Sequence, residues 1–227
     1  PEVMNAYLEK LGFPTSLFKC YDVMSTEEWA LEMVPAPTAA LLMLYPIKEA
    51  SEAAAAAEAA RVAAEGQVVD ATLYYSKQTI PNACGTVGLL HAVANLCTLT
   101  GGDVELAPDS FFARFVASTL DKSPEERAVA LEADDSIDEA HDAVAHEGQS
   151  AVIDDTYQHF VALVRKGGHL YELDGRKATP INHGATTPDT FLTDAIGVVR
   201  GFMDRDPGEL RFTMVALAPN TGDDEEA

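Results

Sequence analysis

A cysteine lies close to the start of a predicted helix in the stretch TIPNACGTVGLLHAVAN, residues 79–95. Asn82 is a strong N-cap residue, so the sequence places Cys84 in the first turn of this helix. Unpaired N–H groups and the helix dipole stabilise an anion there, which lowers the pKa of a thiol. Gly85 lets a substrate backbone come close. A buried cysteine often only fills space, but these neighbours favour a nucleophile.

A nucleophilic thiolate needs a base, and the chain has six histidines. His91 lies about two helical turns beyond Cys84 and cannot easily reach it. His141 and His146 lie in a polar segment, where neither the spacing nor the partners suit a metal site, so no metal is expected. His159 opens an apolar strand and is the predicted general base.

The sequence that follows His159 predicts a β-hairpin around a Lys-Gly-Gly turn. With a two-residue turn at 166–167, His159 faces Asp174 directly. With the turn at 167–168, Asp174 pairs with Val161 and still lies on the face that carries His159. A three-residue turn would move Asp174 to the other face. The first two registers predict that the carboxylate orients the imidazole and favours its protonated form.

A glutamine completes the set of candidate residues. Gln78 precedes Cys84 by six residues, and its side-chain N–H is suited to hold a developing oxyanion. Any polar residue near the cysteine would invite the same assignment, so the glutamine is a candidate only beside the other three. Together these four residues predict covalent catalysis by a thiolate.

The elements that must position these residues are both helical and extended. Apolar spacing, caps and glycine stops predict further helices over 2–12, 26–34, 52–66, 109–120, from Ser123 onward and 188–203. Apolar runs predict strands over 38–47, on both sides of the Lys-Gly-Gly turn, and in the stretch RFTMVALA.

One segment breaks the pattern. Between about Asp134 and Gln158 the chain is polar, acidic and rich in small residues, and it is too long for an ordinary connection within a compact domain. Loops of this length serve as lids or binding loops, or are disordered. The last residues, 220–227, form a charged tail that is expected to fray.

The charge balance is strongly acidic, with 15 Lys and Arg against 37 Asp and Glu and a net charge of −22. Nucleic acid is not an expected partner, because phosphate binding needs a basic surface. A basic protein partner would be attracted by this field. Solubility alone is the simpler explanation of the charge.

The chain shows no signal for membrane insertion or export. No apolar run approaches the roughly 18 to 20 residues of a membrane span, and no charged and then apolar leader opens the sequence. Cys20, Cys84 and Cys97 cannot all pair and form no CxxC, which argues against a disulfide framework and a zinc site. Cys20 and Cys97 are expected to be packing residues. We expect reduced thiols in the cytoplasm, with the nucleus as a second location.

Several stretches resemble the ubiquitin carboxyl-terminal hydrolase family, and its short L-type isozymes in particular. In chain order they are PEVMNAYLEKLG, MVPAPTAALLMLYPI, QTIPNACGTVGLLHAVAN, HFVALVRKGGHLYELDGRKATPINHG and DRDPGELRFTMVALA. The likeness covers nearly the whole chain. The family has a short segment before the Pro-Glu with which this sequence begins, so a few residues are expected to precede Pro1.

The resemblance implies an α/β (α+β) fold with papain-like cysteine peptidase architecture. A central antiparallel sheet would be flanked by helices, with a knotted chain path, in one catalytic domain over 1–219. The segment at about 137–157 would be the crossover loop, under which the substrate tail threads.

The resemblance also assigns roles to single residues. Cys84 falls on the family's nucleophile, His159 on its general base, Asp174 on its orienting acid and Gln78 on its oxyanion-hole glutamine. Residues that contact the basic face of ubiquitin are matched by the acidic side chains of Glu2, Asp22 and Glu209.

The expected activity is that of a thiol hydrolase that cleaves after the C-terminal glycine of ubiquitin and releases small adducts or short peptides. No cofactor is expected, and the chain is expected to be monomeric. A ubiquitin-like modifier is an open second substrate. Two other hypotheses stay open: a protein that binds and buffers ubiquitin with little turnover, and a Cys-His-Asp acyltransferase that acts on another substrate.

Overall fold

Seven helices and six strands make up the described part of the chain, which comprises residues 1–81, 83–101, 103–134 and 158–222 of the computed structural model. The helices are α1 (Glu2–Lys10), α2 (Glu28–Leu31), α3 (Glu49–Glu65), α4 (Cys84–Leu99), α5 (Phe111–Thr119), α6 (Pro124–Glu132) and α7 (Phe191–Met203). The strands are β1 (Phe18–Asp22), β2 (Ala40–Pro46), β3 (Gln158–Lys166), β4 (His169–Leu173), β5 (Ile181–Ala185) and β6 (Thr213–Pro219). None of these helices combines the length and the hydropathy that a transmembrane helix requires.

The six strands form one sheet in the order β1-β6-β2-β3-β4-β5, and each neighbouring pair is antiparallel. The two central strands, β2 and β3, are buried on both faces, which agrees with their almost continuous apolar sequences. A central antiparallel sheet is therefore confirmed.

Helices cover both faces of the sheet because successive strand residues point to opposite sides. Leu42 of β2 packs in the same hydrophobic cluster as Leu90 of α4. Its neighbours Leu41 and Met43 belong to the cluster on the other face, together with Val199 of α7. The sheet is thus flanked by helices, and α4, which begins with the candidate nucleophile, lies against its centre.

The β3–β4 hairpin has the second of the two registers predicted above. Ala162 pairs with Leu173, which leaves two residues, Gly167 and Gly168, to form the turn. Their φ values of +54° and +77° are those of a two-residue hairpin turn that favours glycine at both positions. The register in which the turn lies at 166–167 is wrong. Asp174 follows directly after the last paired residue of β4.

Helix starts agree with the sequence at α5 and α6 but not at α4. Ser123 caps α6 through its side-chain oxygen, as predicted, and of the two candidates Asp109 and Ser110 it is Ser110 that caps α5. At α4 the N-cap position is Ala83, whose side chain accepts no hydrogen bond, and the helix begins at Cys84 itself. The prediction that Asn82 caps this helix is wrong, and Asn82 lies outside the described residues.

The knotted chain path and the single domain over 1–219 stay predictions. The predicted crossover loop, 137–157, lies outside the described residues, as do residues 223–227 of the acidic tail.

Candidate active site

The start of α4 lies close to β2 and β3 because two glycines, one turn apart, face the sheet. A Cβ atom added to Gly88 would lie 3.2 Å from the side chain of Leu42, and one added to Gly85 would lie 3.5 Å from the ring of Phe160. The contact at Gly88 is tight, so a larger residue there would hold the helix further from β2, whereas at Gly85 a Cβ would only just reach the ring. This close approach brings the partly buried Cys84 to the end of β3 where His159 lies.

His159 and Asp174 form a buried pair. The Nε2 atom of His159 lies 2.7 Å from Oδ1 of Asp174, and the imidazole has no solvent exposure. The same oxygen accepts a hydrogen bond from the backbone N–H of Arg176 at 2.9 Å, which fixes the carboxylate. Tyr45 of β2 packs its ring edge-on against the imidazole, with 6.1 Å between the ring centroids. The geometry fixes the plane of the imidazole ring.

The surroundings of His159 and Cys84 favour a charged pair. Burial by itself lowers the pKa of His159, but the interactions with Asp174 and Cys84 outweigh it and raise the pKa to about 9. Burial raises the pKa of the Cys84 thiol, yet the interaction with His159 and the backbone N–H of Phe160 outweigh it, and the pKa is lowered. The N–H of Gly85, in the first turn of α4, acts in the same direction. The two groups titrate as a coupled pair that favours thiolate and imidazolium.

The second ring nitrogen of His159, Nδ1, makes no hydrogen bond of standard geometry within the described ranges. Because Nε2 is bound to Asp174, Nδ1 is the atom that remains to exchange a proton with the Cys84 sulfur or with a substrate. The carboxylate also holds its own charge: burial raises the pKa of Asp174, but the bond to His159 outweighs burial and lowers it.

Gln78 lies against the turn that follows β4. Its backbone N–H donates to the carbonyl of Gly175 at 2.9 Å. Its side-chain Nε2 donates to the carbonyl of Ile80 across a long 3.3 Å, and its Oε1 is buried without a partner in the described part of the chain. The side-chain NH₂ group of Gln78 therefore makes only one long hydrogen bond among those described. Its oxyanion role stays a prediction.

His91, although it lies on α4, does not serve as a base for Cys84. His91 is fully buried, contacts the backbone of Ser76 and stacks on Tyr75, with 5.3 Å between the ring centroids. Burial lowers the pKa of His91 to about 4, so the ring is neutral and structural. His141 and His146 lie outside the described residues.

One cluster has the composition of a metal site but already holds a cation. Ligand atoms of Glu58, Glu172 and His183 lie within 4.8 Å of one another. The ammonium of Lys177 lies 2.5 Å from both glutamates, so it compensates their charge. This cluster is an ion-pair network in which Glu172 and Lys177 lie close to Asp174 in the sequence, and the sequence analysis did not predict it. A charged residue inside the apolar strand HLYEL was the available signal.

The three acidic residues matched to ubiquitin contacts have different environments. Glu2 and Asp22 are exposed. Glu209 is buried, and it pairs with Lys48 and Arg211 at 2.7 Å each. Hydrogen bonds from those two cations hold the pKa of the Glu209 carboxyl well below its ordinary value. The charge of Glu209 is therefore compensated within the protein, whereas Glu2 is exposed and Asp22, also exposed, lies 3.5 Å from the N-terminal ammonium of Pro1.

A thiol whose pKa is lowered by an adjacent imidazolium is the activated nucleophile of cysteine hydrolases. Here a helix packed on an antiparallel sheet presents it, which is the papain-like arrangement. The fold and the site thus define a cysteine hydrolase.

Comparison with known proteins assigns the family. The family model described as "Ubiquitin carboxyl-terminal hydrolase, family 1" matches residues 1–204. The chain is 43% identical over 217 residues to ubiquitin carboxyl-terminal hydrolase isozyme L1 of Homo sapiens, covering 96% of this chain and 94% of that protein. It is 41% identical over 221 residues to ubiquitin carboxyl-terminal hydrolase 3 of Arabidopsis thaliana, covering 97% and 92%.

The fold is similar to a solved structure of lower identity. The catalytic domain of Trichinella spiralis UCH37, crystallised bound to ubiquitin vinyl methyl ester, superposes with a TM-score of 0.70 at 21% identity, covering 97% of this chain and 93% of that chain. The chain belongs to the ubiquitin carboxyl-terminal hydrolase family. The resemblance found in the sequence is confirmed, and the protein is a thiol-dependent deubiquitinating hydrolase.

Proposed function

We propose that the protein cleaves the bond after the C-terminal glycine of ubiquitin and releases small adducts or short peptides. The observation that supports this most is the buried His159–Asp174 pair, 2.7 Å apart, at the start of the helix that begins with Cys84. A carboxylate in this position keeps the imidazole charged and in one orientation, which a thiolate nucleophile requires.

In the first half of the proposed cycle, the Cys84 sulfur attacks the glycine carbonyl and forms a C–S bond. The carbonyl electron pair moves to oxygen, where the side-chain N–H of Gln78 and the backbone N–H of Cys84 stabilise the negative charge. As the oxyanion collapses, the C–N bond breaks and Nδ1 of His159 gives its proton to the leaving amine. The product of this half is a thioester of ubiquitin on Cys84 and a released amine.

The second half hydrolyses the thioester. Neutral His159 takes a proton from water, and the resulting hydroxide attacks the thioester carbonyl. The C–S bond then breaks and restores the Cys84 thiolate beside the imidazolium. Asp174 is never protonated in this cycle, because its role is to orient the ring and to stabilise its positive charge.

A groove of about 670 Å³ supports a docking surface for the body of ubiquitin. It is lined by Asp22, Met24, Asp204 and Leu210, and the side chains of Leu210 and Met24 are 88% and 72% exposed. Exposed apolar side chains of this size beside acidic groups are typical of a protein-binding surface. The acidic rim suits a basic partner face, and the net charge of −22 would speed its association. Glu209 lines the same groove with its charge compensated.

The preference for small leaving groups rests on the length of the acidic segment and on its match to the family's crossover loop. A loop that closes over the tail of ubiquitin would exclude bulky folded leaving groups. Rapid cleavage of long ubiquitin chains by the isolated protein would contradict this part of the proposal. The monomeric state and the cytoplasmic location stay predictions, for light scattering and cell fractionation to test.

The activity is tested with ubiquitin that carries a fluorophore amide at its C-terminus. Wild-type protein should release the fluorophore with multiple turnovers, and Cys84→Ala should bind ubiquitin with unchanged affinity in calorimetry but release none. Tight binding with negligible release by the wild type would support the buffering hypothesis instead. Neither binding nor release, with transfer from another acyl donor, would support an acyltransferase.

The docking surface is tested separately by Leu210→Asp. This change replaces the exposed apolar contact by a hydrated carboxylate, and the loss of apolar burial should outweigh the added attraction to a basic face, so KM should rise by about tenfold or more while kcat stays within about twofold. Val68→Asp is the matched control, because Val68 is 73% exposed, lies outside the groove and should leave both constants unchanged. Equal effects of the two variants would place the docking surface elsewhere.

A further inference from the structure

One turn connects two of the proposed catalytic residues. In the turn 174–177, the backbone N–H of Lys177 donates to the carbonyl of Asp174 at 2.9 Å, and the Asp174 carboxylate binds His159. The next residue, Gly175, accepts the backbone N–H of Gln78 at 2.9 Å. The orienting acid and the oxyanion glutamine therefore depend on the position of the same four residues.

The contact between the turn and Gln78 leaves no free space. A Cβ atom added to Gly175 would lie 2.8 Å from Cβ of Gln78 and 3.0 Å from its backbone nitrogen. The hydroxyl of Tyr75, three residues before Gln78, lies 2.7 Å from the carbonyl oxygens of both Asp174 and Lys177, which share its single proton. A displacement of the turn would consequently move both the carboxylate and the Gln78 segment.

The side chain of Lys177 anchors the turn to β4 and α3. Its ammonium lies 2.5 Å from Glu172 of β4 and 2.5 Å from Glu58 of α3. Glu172 is fully buried, and its second oxygen accepts from Nε2 of His183 on β5 at 2.9 Å. One lysine thus joins the turn to a helix and two strands.

Glu172 and Lys177, the buried ion pair that anchors the turn, both stay charged. Burial by itself raises the pKa of the Glu172 carboxyl, but the partners His183 and Lys177 outweigh it and lower the pKa. Burial lowers the pKa of Lys177, and the charge and hydrogen bond of Glu172 outweigh it and raise the pKa. Removing one partner of such a buried pair leaves an uncompensated charge, which strongly destabilises the structure around it.

We propose that Lys177 is a positioning residue of the active site: its buried ion pair with Glu172 fixes the 174–177 turn and, through it, both the carboxylate that orients His159 and the segment that carries Gln78. This inference rests on the proposed function, since it concerns the same reaction. Lys177 does not touch the reacting atoms and acts only through Asp174 and Gly175.

Lys177→Met keeps the length and the apolar stem of the side chain but removes its charge. Turnover per active site should fall by about 10- to 100-fold, as expected for a small misplacement of catalytic groups, while KM changes by less than about threefold. The active-site concentration is measured by titration with a ubiquitin that carries a C-terminal electrophile, so unfolded protein does not enter the rate.

The pH profile supplies a readout that a merely structural role would not change. The titratable groups that face His159 are Cys84 on α4, Asp174 on the turn and Tyr45 on β2. If the turn loosens, the carboxylate stabilises the imidazolium less well, so the alkaline limb of the kcat/KM profile should move to lower pH in Lys177→Met. NMR titration of the His159 ring measures the same shift without any substrate.

Two further variants separate positioning from stability. Glu172→Gln combined with Lys177→Met removes both buried charges, so it should recover thermal stability without recovering turnover. Lys166→Met is the matched control: Lys166 is a buried lysine at the other end of the hairpin, where its ammonium donates to Thr98 at 2.6 Å. It should lose stability and keep the wild-type kcat and pH profile.

Unchanged turnover per active site and an unchanged His159 titration in Lys177→Met would overturn the inference. Full recovery of turnover in the Glu172→Gln, Lys177→Met double variant would also overturn it, because the pair would then act through stability alone. Failure of the proposed function is distinct, since the wild-type protein itself would not release the fluorophore.

Discussion

Glu172 and Asp174 are two buried carboxylates that lie two residues apart at the end of β4, yet their partners differ. Glu172 contacts the ammonium of Lys177 and the imidazole of His183. Asp174 binds the imidazole of His159 at 2.7 Å. Both carboxylates keep a lowered pKa, because in each case the partners outweigh the effect of burial.

Lys177, the partner of Glu172, and His159, the partner of Asp174, differ in how they titrate. The pKa of Lys177 is raised above its ordinary value, so its ammonium stays protonated near neutral pH. The pKa of His159 is about 9, close enough to the working range for the ring to give and take a proton. Burial of a carboxylate therefore does not identify a catalytic acid, and Glu172 also contacts an imidazole, that of His183. What distinguishes Asp174 is that its imidazole partner, His159, also interacts with the Cys84 thiol.

The largest effect is expected when the Asp174–His159 pair is made like the Glu172–Lys177 pair. His159→Lys keeps a cation beside Asp174 but removes the group that transfers protons. The rate kcat/KM should fall by at least about 10⁴-fold, while ubiquitin affinity in calorimetry stays within about threefold. Turnover within tenfold of the wild-type value would show that proton transfer at this position is not required.

A smaller loss is expected when the acid is made neutral. Asp174→Asn should lower kcat by about 10³- to 10⁴-fold and leave ubiquitin affinity little changed, because the amide no longer stabilises the imidazolium. Asp194→Asn on α7 is the control, since Asp194 accepts a hydrogen bond from Thr186 away from the site. An equal loss of turnover and affinity in Asp174→Asn would mean that its role is structural.

The pH dependence of kcat/KM sharpens the same contrast. Activity should rise as the pH passes the lowered pKa of the Cys84 thiol and fall as the pH passes about 9, where His159 loses its proton. In Asp174→Asn the imidazolium loses its carboxylate, so the falling limb should move to lower pH. A single rising limb at the ordinary pKa of a thiol would contradict a preformed ion pair.

Gly175→Ala tests the contact that transmits the anchor. The added Cβ would approach the backbone nitrogen of Gln78 to 3.0 Å, so turnover should fall by about 10- to 100-fold with little change in KM. Gly201→Ala is the control, because a Cβ at Gly201 on α7 meets nothing within 4 Å. Similar activity of both alanine variants would show that the site tolerates movement of the turn.

The smallest effect is expected at Glu58, the more exposed of the two glutamates that contact Lys177. Glu58→Gln leaves the contact between Lys177 and the fully buried Glu172 in place. Because only a partly exposed partner is lost, kcat should change by less than about twofold. A loss as large as that of Lys177→Met would move the anchor from β4 to α3.

The proposed triad could be predicted because it depends on local rules. Alternation along the strands and a short glycine turn bring Asp174 to the face of His159. The choice between the two registers could not be made, since Lys-Gly and Gly-Gly both suit a two-residue turn. The start of α4 was placed too early, because the preference of Asn82 for N-cap positions does not decide where tertiary packing lets a helix begin.

The anchor could not be predicted, because its contacts are distant in sequence. Lys177 and Glu58 are 119 residues apart and meet only when α3 lies beside the chain that follows β4. The compensation of Glu209 by Lys48 depends on a similar long-range approach. The family resemblance carries residue roles along the chain, but it does not state which charges are neutralised by neighbours.

The most direct test of the central claim is the reaction of the protein with ubiquitin vinyl methyl ester, followed by mass spectrometry of the adduct. A preformed thiolate at the start of α4 predicts one ubiquitin per chain, attached to Cys84, with no adduct in Cys84→Ala. No adduct with the wild-type protein, or an adduct on Cys20 or Cys97 that persists in Cys84→Ala, would contradict it.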